Sequence, residues 1–371
     1  MPTKKLVLWL LVAGCAHTQR VQMDPITFER NRAGEIEVVD PAALFEKAKA
    51  AFEANQYADA ARSFDRLIAA PDTRYLDPSL YNAGLCYEGL SDWPAAADRY
   101  RKLIARATAP AGDLLDAQFR LGAVLVAQKS WPPAAAVYAQ ILTRADLPLP
   151  DRFEALARRG LAQLEANDLP GAEKTLAQPL ELFKKNQAIE RLDTFFVAMS
   201  AFYLAEVSHE QYRRQPLRLA ELDKDVEAKA TLLLAAEARY LDAMKIKEPE
   251  WATAAGSQIA SLYREFHDDL LAAPIPPELD AEARQVYADE VKQQLLSLLR
   301  RALSVHEKTV LLAERIGVSN EWVKRSNEQM EQLRKLLVAE PGKPANPLPP
   351  FKKDPPPLPR PRDDLHPHRV M

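Results

Sequence analysis

Glycine is scarce in this chain, with 11 residues in 371, and cysteine is nearly absent at two. About 3% glycine against a usual ~7% leaves little for tight hairpins or phosphate-cradling loops. No stretch sustains the Val/Ile/Thr alternation of a half-buried strand, so a large β or α/β enzyme is excluded. Two cysteines cannot build a disulfide scaffold. A positive net charge is also lacking. The net charge is -3, and loss of Lys4 and Lys5 with a cleaved leader makes it more negative, which argues against a nucleic-acid partner. No HExxH, P-loop, GxSxG or paired CxxC occurs. The six histidines are scattered. His366 and His368 have no further ligands beside them, so no metal and no cofactor is expected. Long apolar runs are missing too. The longest, Leu6 to Ala13, has eight residues, too few to cross a hydrocarbon core of ~30 Å as a permanent helix.

That short run follows Lys4 and Lys5 and leads into Val12-Ala13-Gly14-Cys15, which resembles the lipobox of bacterial lipoprotein signals. The resemblance implies a signal peptide over 1–14 and acylation of Cys15, with several acyl chains giving stable attachment. Ala16 follows the cysteine, where Asp would signal inner-membrane retention in the enterobacterial pattern. The expected location is therefore the outer membrane, with the periplasmic leaflet preferred. Residues 15–39 carry few apolar residues and no helical period and read as a tether.

What is abundant is Ala, Leu, Glu, Arg and Gln, all helix formers. From Asp40 the chain repeats itself. Ala48, Tyr57, Ala60, Phe64 and Leu67 recur as Gly84, Trp93, Ala96, Tyr100 and Leu103, then as Gly122, Trp131, Ala134, Tyr138 and Ile141. A weaker copy holds Gly160, Leu169, Ala172 and Leu176. Tyr57, Trp93, Trp131 and Leu169 stand 36, 38 and 38 residues apart. The pattern resembles the tetratricopeptide repeat (TPR), a helix-turn-helix unit whose small residues bring paired helices together. Pro94, Pro132 and Pro133 suit a first helical turn. Regular repeats are expected over 40–190 and irregular ones over 191–340. The irregular part includes a first helix from Leu192 to Tyr212, another from Trp251 to Phe266, a long helix from Ala281 to Ile316 stopped by Gly317, and a last one capped by Ser319 or Asn320. Residues 341–371 contain 11 prolines and read as a disordered tail favouring polyproline II. The fold class is all-α, a TPR-like solenoid with that tail.

Within the irregular part, Pro249-Glu250-Trp251-Ala252, Leu262-Tyr263, Phe266, Ala273-Pro274-Ile275-Pro276-Pro277, Tyr287 and Ile316 to Trp322 resemble adventurous-gliding-motility TPR lipoproteins of myxobacteria. The resemblance implies an adaptor in the gliding apparatus. In TPR folds the first helices line a groove. The alignment places Phe45, Tyr81 and Phe119 at one lining position, Leu85 and Leu161 at a second, and Phe52, Glu88, Val126 and Leu164 at a third. An apolar groove suits protein segments with hydrophobic anchors, here envelope proteins, and no small-molecule substrate. The Lys/Asn/Arg clamp of chaperone-binding TPR domains is replaced by Phe, Tyr and Phe.

The alternative adaptor role is assembly of outer-membrane proteins or pilus secretins. The competing class is a peptidoglycan enzyme, for which Glu237, Glu265 and Asp268 are the available acids; their spacing does not favour catalysis. Arg158-Arg159 and Arg213-Arg214 read as solvated helix faces, Tyr57, Trp93 and Trp131 as core, Cys86 as a packed small hydrophobe, and His306 as a core histidine.

Overall fold

Helix boundaries in this computed structural model are written by a recurrent turn. The structure describes residues 40–70, 74–106, 109–186, 193–275 and 277–338, with the backbone of 27–30 and 36–39. Four helices end on Asn55, Ser91, Lys129 and Asn167, each with φ between 54° and 66°. Each of these residues donates its N–H to the carbonyl three back (Phe52, Glu88, Val126, Leu164), at 2.9 Å. The next residue reaches five back, as in Asp92 N–H to Tyr87 O at 2.8 Å. These are Schellman motifs, which satisfy the carbonyls orphaned at a helix end. Gly317, at φ 68°, makes a fifth. Asp92 and Asp168 then cap the following helices by accepting from Ala95 N–H and Gly171 N–H.

Thirteen α-helices lie among the described residues. In a first unit, α1 (Pro41–Glu53), α2 (Tyr57–Ala69), α3 (Leu76–Gly89), α4 (Trp93–Ile104) and α5 (Ala111–Ala127) pack each on the next. In a second unit, α6 (Trp131–Ile141), α7 (Leu149–Glu165), α8 (Leu169–Lys185), α9 (Phe195–Arg214), α10 (Leu222–Lys245), α11 (Pro249–Leu271), α12 (Ala281–Ile316) and α13 (Glu321–Val338) do the same. There α7 also touches α9, α9 touches α11, and α11 touches α13, so alternate helices stack as an inner row. This is the TPR-like helical solenoid expected from the repeats. Strands β1 (Thr27–Arg30) and β2 (Ile36–Val39) pair antiparallel, Thr27 opposite Val39, within the stretch expected as a plain tether. Ile36-Glu37-Val38-Val39 is a short β-favouring run that a search for helical period passes over.

The repeat positions are the core. Ala60, Ala96, Ala134, Ala172, Ala236 and Ala302 are all fully buried, as are Phe64, Tyr100, Tyr138, Leu176 and Tyr240. A Cβ on Gly84 would lie 2.5 Å from the Tyr100 ring, and one on Gly160 would lie 2.4 Å from Leu176 Cγ. Between α11 and α12 the close approach moves one turn along, with Gly256 facing Thr309 rather than His306. Tyr57, Trp93 and Trp131, expected as core, are half-buried at the first residue of their helices. Among the described residues Trp251 and Trp322 are the buried tryptophans, packed on Phe202. Asn320, not Ser319, caps α13 by accepting from Val323 N–H at 3.0 Å.

Candidate functional site

In the first unit, five of the expected lining side chains, Phe45, Tyr81, Leu85, Phe119 and Val126, are buried, Phe119 to 1% exposure; Phe52 is half-buried. Phe45 packs edge-on to Phe64 and beside Tyr75, while Phe52 meets Tyr57. In the second unit Leu161 is buried and Leu164 half-buried against the same core. These side chains sit in the packed interior, and Phe52 and Leu164 are the ones with accessible surface. Cys15, the tail and His366 and His368 lie outside the described residues.

Polar side chains on these helices are held just as closely. Glu88 accepts from the Tyr100 hydroxyl at 2.5 Å and faces Arg120 at 3.4 Å. Burial pushes the Glu88 carboxyl up, against the pull of Arg120 and Tyr100. Arg158, expected on a solvated face, is buried: it pairs with Glu154 at 2.9 Å and lies over the Phe196 ring. The Glu154–Arg158 spacing of four was visible in the sequence; its burial was not.

A larger polar network joins α9, α10 and α11. Glu206 accepts from the Tyr240 hydroxyl and from Gln258 at 2.5 Å; Tyr240 also meets His209 Nδ1 at 3.0 Å. His209 Nε2 is 3.3 Å from Glu265, which takes two bonds of 2.9 Å from Arg213, so Arg213 too is no solvated charge. Lys229 is buried, with its ammonium donating to the carbonyls of Tyr212 and Gln215 at 3.0 Å each, closing the end of α9.

The three acids available for catalysis are spoken for. Burial alone would raise Glu265, but His209 and Arg213 outweigh it and hold the carboxyl well below its usual range. Asp268 is likewise held low, burial being outweighed by His267 and Arg264. Glu237 accepts from Tyr263 at 2.7 Å and Arg301 at 2.9 Å. A general acid at neutral pH needs a shift opposite to those of Glu265 and Asp268. Cys86 is fully buried and its thiol is pushed up to about 12, an inert packing group. His306 is buried between helices as expected, and burial with Arg325 nearby brings it down to about 4.

The tetratricopeptide-repeat family model matches residues 42–73 and 79–107, the first two helix pairs. No curated protein matches the chain. Among solved structures, the chain is similar to the C-terminal part of a TPR repeat-containing protein from Cytophaga hutchinsonii, at 13% identity over 78% of this chain and 95% of that one, TM-score 0.41. A tetratricopeptide repeat protein from Parabacteroides merdae is 14% identical over 79% and 98%, TM-score 0.38. The apo form of RapI is 11% identical over 80% and 98%, TM-score 0.44. The fold stands on the chain's own repeat geometry, with the family match confined to the first two helix pairs.

Proposed function

We propose that this chain is a lipid-anchored adaptor of a cell-envelope machine at the outer membrane, the gliding apparatus being the machine its C-terminal resemblance implies. The observation that carries the adaptor reading is the stack of TPR helix pairs, in which the acids and cations of the inner row are spent on holding helices together. Among the described residues no helix is long and apolar enough to cross a membrane. Attachment is assigned to Cys15, and partner contact to the first-helix faces, entered at Phe52 in one unit and at Leu164 in the other.

Cys15→Ser is expected to move the protein from the membrane to the soluble fraction; retention after a high-salt wash would overturn the anchor. Crosslinking mass spectrometry on native membranes, with Phe52→Glu and Leu164→Glu beside wild type, reads the partner. Loss of a specific envelope protein supports the adaptor role, and an unchanged partner set removes these faces from it. A deletion strain that loses β-barrel proteins as well as movement would favour the assembly role instead.

A further inference from the structure

Helix α10 is held by one stripe, with Leu233, Ala236, Tyr240 and Ala243 buried. Its opposite face carries a second stripe: Glu227, Thr231, Leu234, Ala238, Leu241 and Lys245, spaced 4, 3, 4, 3 and 4, which is one continuous line along a helix. All six are exposed, Leu234 to 59% and Leu241 to 44%. Outward positions on equivalent helices are treated differently. Where α10 has Leu234, α2, α4, α6 and α8 have Ala58, Pro94, Pro132 and Pro170; where it has Ala238, α6 also has alanine (Ala136), while α2, α4 and α8 have Arg62, Asp98 and Lys174.

The stripe is complementary to itself. Laid antiparallel on a second copy, Leu234 falls opposite Ala238, Thr231 opposite Leu241, and Glu227 opposite Lys245, each pair occurring twice. Large against small lets two helices close up, and opposite charges meet at both ends. A parallel pairing would set Glu227 on Glu227 and Lys245 on Lys245. The Thr231 hydroxyl already donates to the Glu227 carbonyl at 2.9 Å, so its burial leaves no orphan donor. Among the described residues Lys245 pairs with Asp242, an exposed pair of the kind that is worth little and exchanges readily.

We propose that α10 is a homotypic docking surface through which two copies of the chain associate by antiparallel packing of this stripe. One helix pair over about 27 Å is smaller than a standard stable interface, so the dimer is weak and concentration-dependent. Sedimentation equilibrium of the purified full chain over a rising concentration series reads it directly. Wild type is expected to pass from monomer to dimer. Leu234→Glu with Leu241→Glu is expected to weaken association by at least about tenfold with an unchanged melting curve, because both side chains are exposed. Glu227→Lys alone and Lys245→Glu alone each weaken the dimer, and the two together restore it. A chain that stays monomeric throughout, or a dimer that survives the leucine pair, would overturn the proposal. A charge double variant weaker than either single variant would do the same.

Discussion

Gly160 has no room for a methyl group. Its Cβ would sit 2.4 Å from Leu176 Cγ and Cδ2, and Leu176 is wholly buried. Gly160→Ala is therefore expected to cost about 1–3 kcal/mol by overpacking, read as a lower urea midpoint at unchanged slope. Leu176→Ala is expected to cost less in that background than in wild type, because the two sites couple. A midpoint unmoved by Gly160→Ala would mean that α7 and α8 do not approach there. This pair was legible from the repeat alone, since Gly84 and Tyr100 stand in the same relation. Arg158 was not legible, because a guanidinium reads as solvated until the Glu154 carboxylate and the Phe196 face around it are known.

Helix α12 joins two regimes in one element. It runs 36 residues, about 54 Å, yet its buried side chains begin only at Leu299. The register set by Gly256 against Thr309 ends α11 beside the middle of α12, leaving the first turns without that neighbour; Val286 is 62% exposed. Their hydrogen bonds face solvent with little apolar burial, so amides of 284–294 are expected to exchange far faster than those of 299–313. Hydrogen-exchange mass spectrometry giving equal protection along the helix would contradict this. The stop of α12 was readable from Gly317; its start is capped by Asp280, which accepts from Ala283 N–H. The Schellman turns at Ser91 and Lys129 were less so, because these residues seldom announce a left-handed position.

Across the whole molecule, acid acts differently on the two units. In the second, His306 is brought to about 4 by burial and Arg325. Its unfolded counterpart takes up a proton near 6.5 while the native ring does not, so stability is full above that pH and falls toward pH 4. The span is worth on the order of 3 kcal/mol. Glu265 and Asp268, held low by their bases against burial, add a loss that begins as pH falls through the ordinary carboxylate range and deepens below it. Glu88 in the first unit is raised by burial, so its contribution is present in acid and fades as pH rises. Acidification from pH 7 to 4 is expected to loosen α6–α13 before α1–α5, followed by hydrogen exchange. His306→Phe is expected to flatten the pH dependence of the urea midpoint. Equal loosening of both units, or a variant with the wild-type pH profile, would contradict this assignment.

Local chemistry determined the helices themselves: the 36-to-38-residue recurrence, the buried alanines and their aromatic partners, the prolines at first turns, and the stop at Gly317. Each is a property of one helix and its immediate partner, so it is written within a few dozen residues. Only the tertiary structure decided which faces remain open. Helix α11 carries Thr253, Ser257, Gln258, Ser261, Arg264, Glu265 and His267, yet every residue from Trp251 to His267 is buried, because α9, α10, α12 and α13 surround it. Periodicity describes the faces of a helix; the number of neighbours packed around it determines how many of those faces meet water. The side chains expected to line a groove are buried too, and α10, packed by its inner stripe, is left with an outer stripe that matches itself.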